Sequence, residues 1–526
     1  MTLRRAENLS RDEHLPQTEL HHVSPRRYQE GWQYEKTARR LILLVLLYTI
    51  PGVVALKPVL DPDIWWHLRT GQWIVEHGVV PYTDPFSSYG MGKPWVAYSW
   101  LAEVFLYGFY RAFGLMGIVF YLTAFCIGIT FALHRFICKR VSHFPTQIVL
   151  TVVGLLGIIP ILGPRPLLFS VLFFIIEVDL LLTARQTGDL RRLLVLPPLF
   201  ALWANLHIQF VYGLSVLGLV VAESLILRVV TSRNDQGADR SLPLPALVGV
   251  MVACVIATLL TPYHIYLYGT VFELMTQTEP FRAISELLPL QFRTPWDWFI
   301  LLLVLGGAMA MGRQRSNSPF LFLLFALGVF LVFRARRDRW IVVMPALTAL
   351  AMVGSTRAEV EQFVLTKVRI GIVAVLVVTM LVVIGRIRGL SEEKLVSTVA
   401  VYYPDAAARF IEQQGYQGPM FNHFNWGGYL IWRLPHLPVV MDGRTNIYGD
   451  ERLRRHFQTW LGEGGWGVDA DLRAAQVVLA PQSGPLTSLL RLDPRFELVY
   501  EDHVATVFVP AIRRDEESTW PDQLPR

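Results

Sequence analysis

A succession of apolar stretches, each near the ~20 residues that a helix needs to cross the hydrocarbon of a bilayer, limits this chain more than any other feature. They fall at 41–59, 115–137, 146–163, 166–184, 193–209, 211–229, 244–263, 297–311, 319–333, 340–354 and 368–388. A backbone at membrane depth finds no water to bond, so each stretch reads as a helix, and together they predict a mostly α, polytopic membrane bundle of roughly 11 to 13 spans. Only 17% of the residues are charged, against about 25% in soluble domains, which excludes an ordinary soluble enzyme. The 48 Lys and Arg against 42 Asp and Glu gather largely in short segments between spans. That distribution reports topology and argues against a nucleic-acid partner. Cys126, Cys138 and Cys254 lie in or beside apolar segments without metal-ligand spacing, so neither a disulfide framework nor a zinc site is expected.

The polar N-terminal tail, 1–40, carries Arg4, Arg5, Arg26, Arg27, Lys36, Arg39 and Arg40 and has no secretory signal pattern. It is expected in the cytoplasm. Basic stretches at 134–143, 185–192, 228–240 and 313–315 alternate with less basic connections, which predicts a multi-pass protein of the plasma (inner) membrane with its C-terminus outside. The transmembrane module then spans 41–390, with outer loops at 60–98 and 264–296. Residues 391–511 alternate helical pattern with short apolar runs (PMFN, LPVVMDG, QVVLA, FELVYED, VATVFVP) in the rhythm of an extracytoplasmic α/β domain, and 512–526 read as a flexible end. Two places leave the count open. SWLAEVFLYGFYRAFG (99–114) is a short span, a surface helix or the start of the next helix. The prolines of IIPILGPRP (159–166) break any helix there.

The first outer loop, LDPDIWWHLRTGQWIVEHGVVPYTDPFSSYG, opens with Asp61 and Asp63 at the membrane surface. Helical spacing sets Asp63, His67 and Thr70 on one stripe and Ile64, Leu68 and Val75 on another, as in a helix lying in the interface, where Trp65, Trp66, Trp73, Trp95 and Trp100 would anchor it. Either aspartate could merely cap that helix. Acids beside hydrocarbon are expensive, however, and Asp61 and Asp63 with His67, Asp84 and Glu103 make a candidate cavity set. A desolvated carboxylate there could act as general base. Arg336, Arg337 and Arg339 fall on the expected outer side against the positive-inside trend, so they need a phosphate or headgroup partner, unless the span count is off by one. Arg165, between Pro164 and Pro166, shares that ambiguity. Asn205, His207 and Gln209 in WANLHIQF either bond among themselves and to backbone or line a cavity. Glu177 and Asp179 are expected near an inner helix end, in water.

The run DPDIWWHLRTG followed by VVPYTDPFS resembles the first outer loop of the GT-C superfamily of integral membrane glycosyltransferases. Four further places resemble the oligosaccharyltransferase branch: ISELLP with Glu286, whose counterpart contributes to a metal site; RARRDRWIVVMP, where Arg339 matches an arginine that meets the carrier's phosphates, with Arg336 and Arg337 beside it; FNWGGYLIW, with Trp426 and Tyr429 placed like an acceptor motif; and MDGRTNIY, with Asp442 and Arg444. The resemblance implies a GT-C bundle with an outer α/β domain that moves a sugar from a polyprenyl-phosphate-linked donor to a glycan, lipid or protein acceptor. In that scheme Asp61 or Asp63 is the base, His67 orients it, and Arg336, Arg337, Arg339 and Arg165 hold donor phosphate. Asp84, Glu103, Glu286, Trp426, Tyr429, Asp442 and Arg444 line the acceptor side or cavity. The resemblance admits a divalent cation, Mg or Mn, on Asp61, Asp63 and Glu286, and does not require one. The chain departs from the branch at GPRPLLFS, where Arg165 stands in place of a second acidic pair, and at Gly427 and Gly428, which displace the acceptor motif's aspartate. The alternative class is a transporter or flippase-like protein, or a scaffold of cell-envelope assembly; no inverted repeat supports the first.

Overall fold

The computed structural model describes residues 25–230, 242–314, 318–354 and 366–511. The N-terminal tail up to residue 24, the basic stretch beyond 230 and the terminal 512–526 lie outside these. The helices that precede the C-terminal domain are α1 (Pro25–Ala55), α2 (Ile64–His77), α3 (Trp100–Cys138), α4 (Phe144–Ile158), α5 (Leu167–Thr187), α6 (Leu196–Leu206), α7 (Phe210–Val230), α8 (Leu244–Thr258), α9 (Tyr266–Thr276), α10 (Pro280–Ala283), α11 (Pro295–Arg313), α12 (Pro319–Arg334), α13 (Arg339–Gly354) and α14 (Lys367–Ile387). Seven of the described helices are long and apolar enough to cross a membrane, namely α1 from Glu35, α3, α4 with its 3-10 extension, α5, α7, α11 and α14. The shorter apolar α8 and α12, with α6 and α13, account for the remaining apolar stretches. The chain is a multi-pass membrane protein. Its central helix is α13, whose residues from Trp340 to Leu347 are almost wholly buried against α4, α11 and α12.

Polar contacts between loops fix which helix ends lie together. Asp61 after α1, Arg165 after α4, Glu286 before α11 and Arg337 after α12 form one ion-pair cluster. At the opposite end Asp179 of α5 pairs with Lys139 and Arg140, and Glu223 of α7 pairs with Arg185 and accepts the Phe320 N–H at 2.9 Å. The bundle therefore has two polar ends, with the apolar helices between them. Glu177 departs from the expectation of a solvated helix end. It is wholly buried on α5, facing α7 at Gly213, and among the described residues neither carboxyl oxygen has a hydrogen-bond partner.

The ambiguous segment 99–114 is the first part of α3. At 39 residues that helix would measure about 58 Å at 1.5 Å per residue, nearly twice the ~30 Å hydrocarbon thickness. Gly114 resolves the mismatch: its φ of 61° and ψ of −145° break the helix, a conformation for which glycine has no steric penalty. The first part packs on α2 and the rest spans. Glu392, 277 positions along the chain from Leu115, accepts the N–H groups of Leu115 and Met116 at 2.9 and 3.0 Å, satisfying donors that the restarted helix leaves open. At 159–166 the prolines end α4 in a short 3-10 turn and no spans merge.

Beyond α14 the chain continues through α15 (Glu392–Tyr402) and α16 (Asp405–Gln414), β1 (Met420–Asn422), α17 (Gly427–Arg433), α18 (Thr445–Trp460), β2 (Val477–Pro481), β3 (Phe496–Glu501) and β4 (Ala505–Pro510). The sheet order is β1-β2-β4-β3, with β1 and β2 parallel and the other pairs antiparallel. LPVVM, expected as a strand, makes only isolated bridges, Val439 with Ser87 and with Met420. It is extended backbone shared between the first loop and the sheet. Three of the five tryptophans also depart from the interfacial role: Trp65, Trp66 and Trp95 are buried, with Trp65 edge-on to Tyr403 and Tyr429, whereas Trp73 and Trp100 are half-buried. Ile64 and Leu68 are buried as expected, but Val75 is exposed, so only the first half of α2 is covered.

The C-terminal domain is latched to the first loop by charge. Arg444 donates Nε and Nη2 to Asp442 at 2.8 and 2.7 Å and Nη1 to Asp84 at 2.6 Å, while its guanidinium lies 4.6 Å from the Trp95 ring centre. Asp84 also accepts from Phe86 N and Ser87 N, and Asp442 from the Tyr448 hydroxyl. Ions removed from water need this degree of pairing, and removing one partner strands the rest at about 3–5 kcal/mol. Arg444→Ala should therefore lower the thermal midpoint of the detergent-solubilised protein. In a double-mutant cycle, adding Asp84→Asn should cost less than it does in the wild type.

Candidate functional site

Two cavities meet at the loop end of the bundle. The larger, about 710 Å³, lies under the C-terminal domain and is lined by Asp63, Trp66, His67 and Tyr98 of the first loop, Arg165, Glu286, Arg337, Tyr403, His423 and Trp426, among others. The second, about 490 Å³, runs between helix ends and is lined by Ile118, Val119, Leu122, Ile161 and Leu162 together with Lys57, Arg336, Arg337 and Arg339. Arg165, Glu286 and Arg337 line both, with Leu60 and Leu167, so ion pairs form the polar part of the wall between an acid-bearing chamber and a largely apolar groove with a charged rim.

Arg165 is the hub of that wall. Its Nε donates to Asp61 Oδ2 at 2.5 Å, and its Nη1 lies 2.8 Å from Glu286 Oε1 and 3.1 Å from Asp63 Oδ2. The prolines on either side restrict its backbone. Glu286 is held from the other direction by backbone pairing, Arg337 N–H to Glu286 O at 3.1 Å and Arg336 N–H to Leu288 O at 3.0 Å, and by Arg337 Nη1 at 3.5 Å from its carboxylate. Burial pushes the Glu286 carboxyl up, but Arg165 and Arg337 outweigh it and hold it below the ordinary range. It stays ionised.

Asp63 sits at the N-cap position of α2 and makes no side-chain cap bond, so its carboxylate is not consumed by helix termination. It receives the Trp66 indole N–H at 3.3 Å. Burial raises its pKa to about 6; Arg165 pulls it down, while Asp61 and Glu286 push it further up. That value lies close to neutral pH, which suits a group that takes and returns protons. Asp61 differs: its Oδ1 accepts the Asp63 backbone N–H at 3.0 Å and its Oδ2 faces Arg165, so both oxygens are engaged.

His67 reaches the chamber from the next turn of α2, with Nδ1 3.0 Å from Glu103 Oε1. Burial, and then the charge of Arg165, hold the imidazole well below its usual pKa, so it is neutral. Glu103 itself is buried on α3, absent from the chamber lining, and touches the site through its bond to His67. Asp84, Tyr429, Asp442 and Arg444 likewise lie behind the wall. Three belong to the latch, and Tyr429 stacks on Tyr403 and donates to Asp405 at 2.9 Å. Arg339 is not at the ion-pair hub: it faces Asp297 at 3.6 Å and lines the groove with Arg336. Of the three late arginines Arg337 stands at the junction. His207 lines the chamber while bonded to Ser170 at 2.7 Å, whereas Asn205 binds the Trp100 indole and two backbone carbonyls. Lys57, Tyr98, Tyr403 and His423 were not singled out in the sequence, which carries no local pattern for them.

Gly427 and Gly428, which displaced an acceptor-type aspartate, have a steric reason, and so does Gly443: a Cβ on Gly427 would stand 2.1 Å from Met441 O. A Cβ on Gly428 would stand 2.8 Å from Pro62 O and 3.2 Å from the Trp66 ring, and one on Gly443 would collide with the Asp63 carboxylate. The domain's backbone thus lies directly on the acidic turn of the first loop.

No known family model matches the chain, and neither does any curated protein. Among solved structures it is similar to the arabinofuranosyltransferase AftD from Mycobacteria, with TM-score 0.52 and 10% identity over 90% of this chain and 40% of that one. It is also similar to the apo oligosaccharyltransferase of Archaeoglobus fulgidus (TM-score 0.49, 10% identity, 84% and 69% coverage) and to ArnT from Cupriavidus metallidurans bound to undecaprenyl phosphate (0.46, 15%, 92% and 98%). The AftD match shows a shared fold; the C-terminal α/β domain is given by this chain's own four-stranded sheet. The chain spans 40% of the length of AftD.

Because Gly428 abuts backbone as well as a ring, Gly428→Leu should lift the domain from α2. We expect a loss of about 1–3 kcal/mol in thermal unfolding and faster amide exchange across Ile64–Leu68.

Proposed function

We propose that this protein is a membrane glycosyltransferase that moves a sugar from a polyprenyl-phosphate-linked donor to an acceptor on the extracytoplasmic side, with its N-terminus in the cytoplasm and its C-terminal domain outside. The observation that carries the reading is the junction itself: a largely apolar groove whose charged rim has Lys57, Arg165, Arg336, Arg337 and Arg339 in excess over Asp61, Glu286 and Asp297 meets a polar chamber bearing Asp63 and His67. An amphiphile with a phosphate headgroup suits the first, and a hydroxyl nucleophile suits the second. A fold shared with an arabinofuranosyltransferase favours sugar transfer as the chemistry.

In this mechanism the donor's isoprenoid lies in the groove, and its phosphate is met by Arg337, with Arg336 and Lys57 nearby. The acceptor enters the chamber and its hydroxyl oxygen attacks the anomeric carbon. Asp63 takes the hydroxyl proton, the bond from that carbon to the phosphate oxygen breaks, and the lipid phosphate leaves with the electron pair. Guanidinium groups stabilise the charge that grows on it, and such fixed charge is worth more in a dry site than in water. Asp61 and Glu286 position the arginines. His67, held by Glu103, orients the acceptor or Asp63. The aromatic rings of Trp426, Tyr403 and Trp66 suit the apolar face of an acceptor sugar. Asp84, Asp442 and Arg444 of the latch set the domain over the chamber and so hold these rings.

Three outcomes check the reading. Purified protein incubated with radiolabelled lipid-linked sugars should release label from the lipid into an acceptor; binding without release would favour a transporter. Asp63→Asn should leave folding in detergent intact and reduce transfer by about 10²-fold or more, the usual weight of a positioned base. In the wild type, kcat/KM should rise through pH 6 as Asp63 loses its proton and then level off, and Arg337→Gln should depress transfer without moving that inflection.

A further inference from the structure

A half-buried cluster of Asp61, Asp63 and Glu286 is a set of the kind that holds a divalent cation in the oligosaccharyltransferase branch, so the fit of a metal can be tested on the distances. A metal needs several oxygens within about 2.0–2.6 Å of one point. The point on which these three carboxylates converge is taken by the Arg165 guanidinium, with Nε 2.5 Å from Asp61 and Nη1 2.8 and 3.1 Å from Glu286 and Asp63. Among the described residues no group of three or more His, Cys, Asp or Glu side chains is arranged to hold a metal ion. The residues present do not fit one.

We infer that Arg165 is the resident cation of this site, a covalently tethered substitute for a divalent metal, and that it makes the site metal-independent. This rests on the reading of the junction as the transfer centre. Four features support the assignment. Arg165 lies between Pro164 and Pro166, and its backbone N–H bonds Gly163 O at 2.7 Å, so the guanidinium is anchored close to its root. The turn carrying it is tied to the segment just after α1 as well, by Lys57 Nζ to Leu162 O at 3.0 Å. Arg337 stands on the far side of Glu286 at 3.5 Å, so any added dication would meet two fixed positive charges as well as the carboxylates. Two guanidiniums cut the charge of the three carboxylates from −3 to −1, so the junction has much less charge to recruit a dication than the bare acids would. The three acids then act as the frame that aims Arg165 and Arg337, and Asp63, the most loosely held of them, is free to exchange a proton.

The test is Mn²⁺ titration of the full-length detergent-solubilised protein, followed by electron paramagnetic resonance, beside a transfer assay with and without chelator. The wild type should show no stoichiometric Mn²⁺ site sensitive to Glu286→Gln. Arg165→Ala uncovers three carboxylates and should gain Mn²⁺ affinity of roughly tenfold or more, lost again when Glu286→Gln is added. Arg165→Lys, which keeps a cation on the same turn, should stay without a site. Transfer by the wild type should be unchanged by chelator. A stoichiometric wild-type Mn²⁺ signal abolished by Glu286→Gln, or transfer lost to chelator and restored by Mn²⁺, would overturn the inference. Should no transfer occur under any condition, the glycosyltransferase reading fails, while the Mn²⁺ titration still decides whether Arg165 holds the cation position.

Discussion

Positive charge held rigidly among carboxylates at the edge of a bilayer is the constraint on which the rest of this structure depends. A guanidinium and three acids placed separately at that depth would each carry a desolvation cost of several kcal/mol. Placed in contact they offset one another, and the contact cannot form unless the turns after α1 and α4, the loop before α11 and the turn after α12 arrive at one point. The cluster therefore specifies how the helices are threaded as well as what chemistry their ends can perform. A second cluster, Arg444 between Asp84 and Asp442, does the same for the C-terminal domain and fixes it over the first loop.

These two clusters differ in exposure, and that difference separates structure from chemistry. The Arg444 group is sealed: its three charged side chains are at most 1% exposed and every carboxylate has further donors. The Arg165 group is open, with Arg165 22%, Asp63 26% and Glu286 34% exposed in their side chains, at the junction of two cavities. A sealed network is suited to holding a domain. An open one can rearrange its partners when a charged ligand arrives, and there burial raises the pKa of Asp63 to about 6, placed for proton exchange near neutral pH.

The C-terminal domain is more than a lid resting by shape alone. Gly428 and Gly443 allow its backbone onto Pro62, Asp63 and Trp66, and Glu392 at its start completes the spanning part of α3. Perturbation of the domain is thereby transmitted to the turn that carries Asp61 and Asp63, through packing that has little room to yield.

The sequence by itself determined the membrane bundle, the position of nearly every apolar helix, the α/β rhythm of the tail, and the acids and arginines that share the junction. Hydrophobic length and helix-breaking prolines are local properties, and charges beside hydrocarbon are too costly to be incidental, so both kinds of signal survive in one dimension. Tertiary structure alone decided which of those charges do what. Asp84, Asp442 and Arg444 carry the same side chains as the junction residues, yet they form a latch, because their partners lie 360 positions apart and no spacing rule joins them. Arg339 matched a motif better than Arg337, but one turn of 3-10 helix at 336–338 directs Arg337 toward Glu286 and Arg339 toward Asp297. Glu177 looked like a solvated helix end and is buried, since which face of an apolar helix meets lipid and which meets its neighbours is set by packing, not by composition.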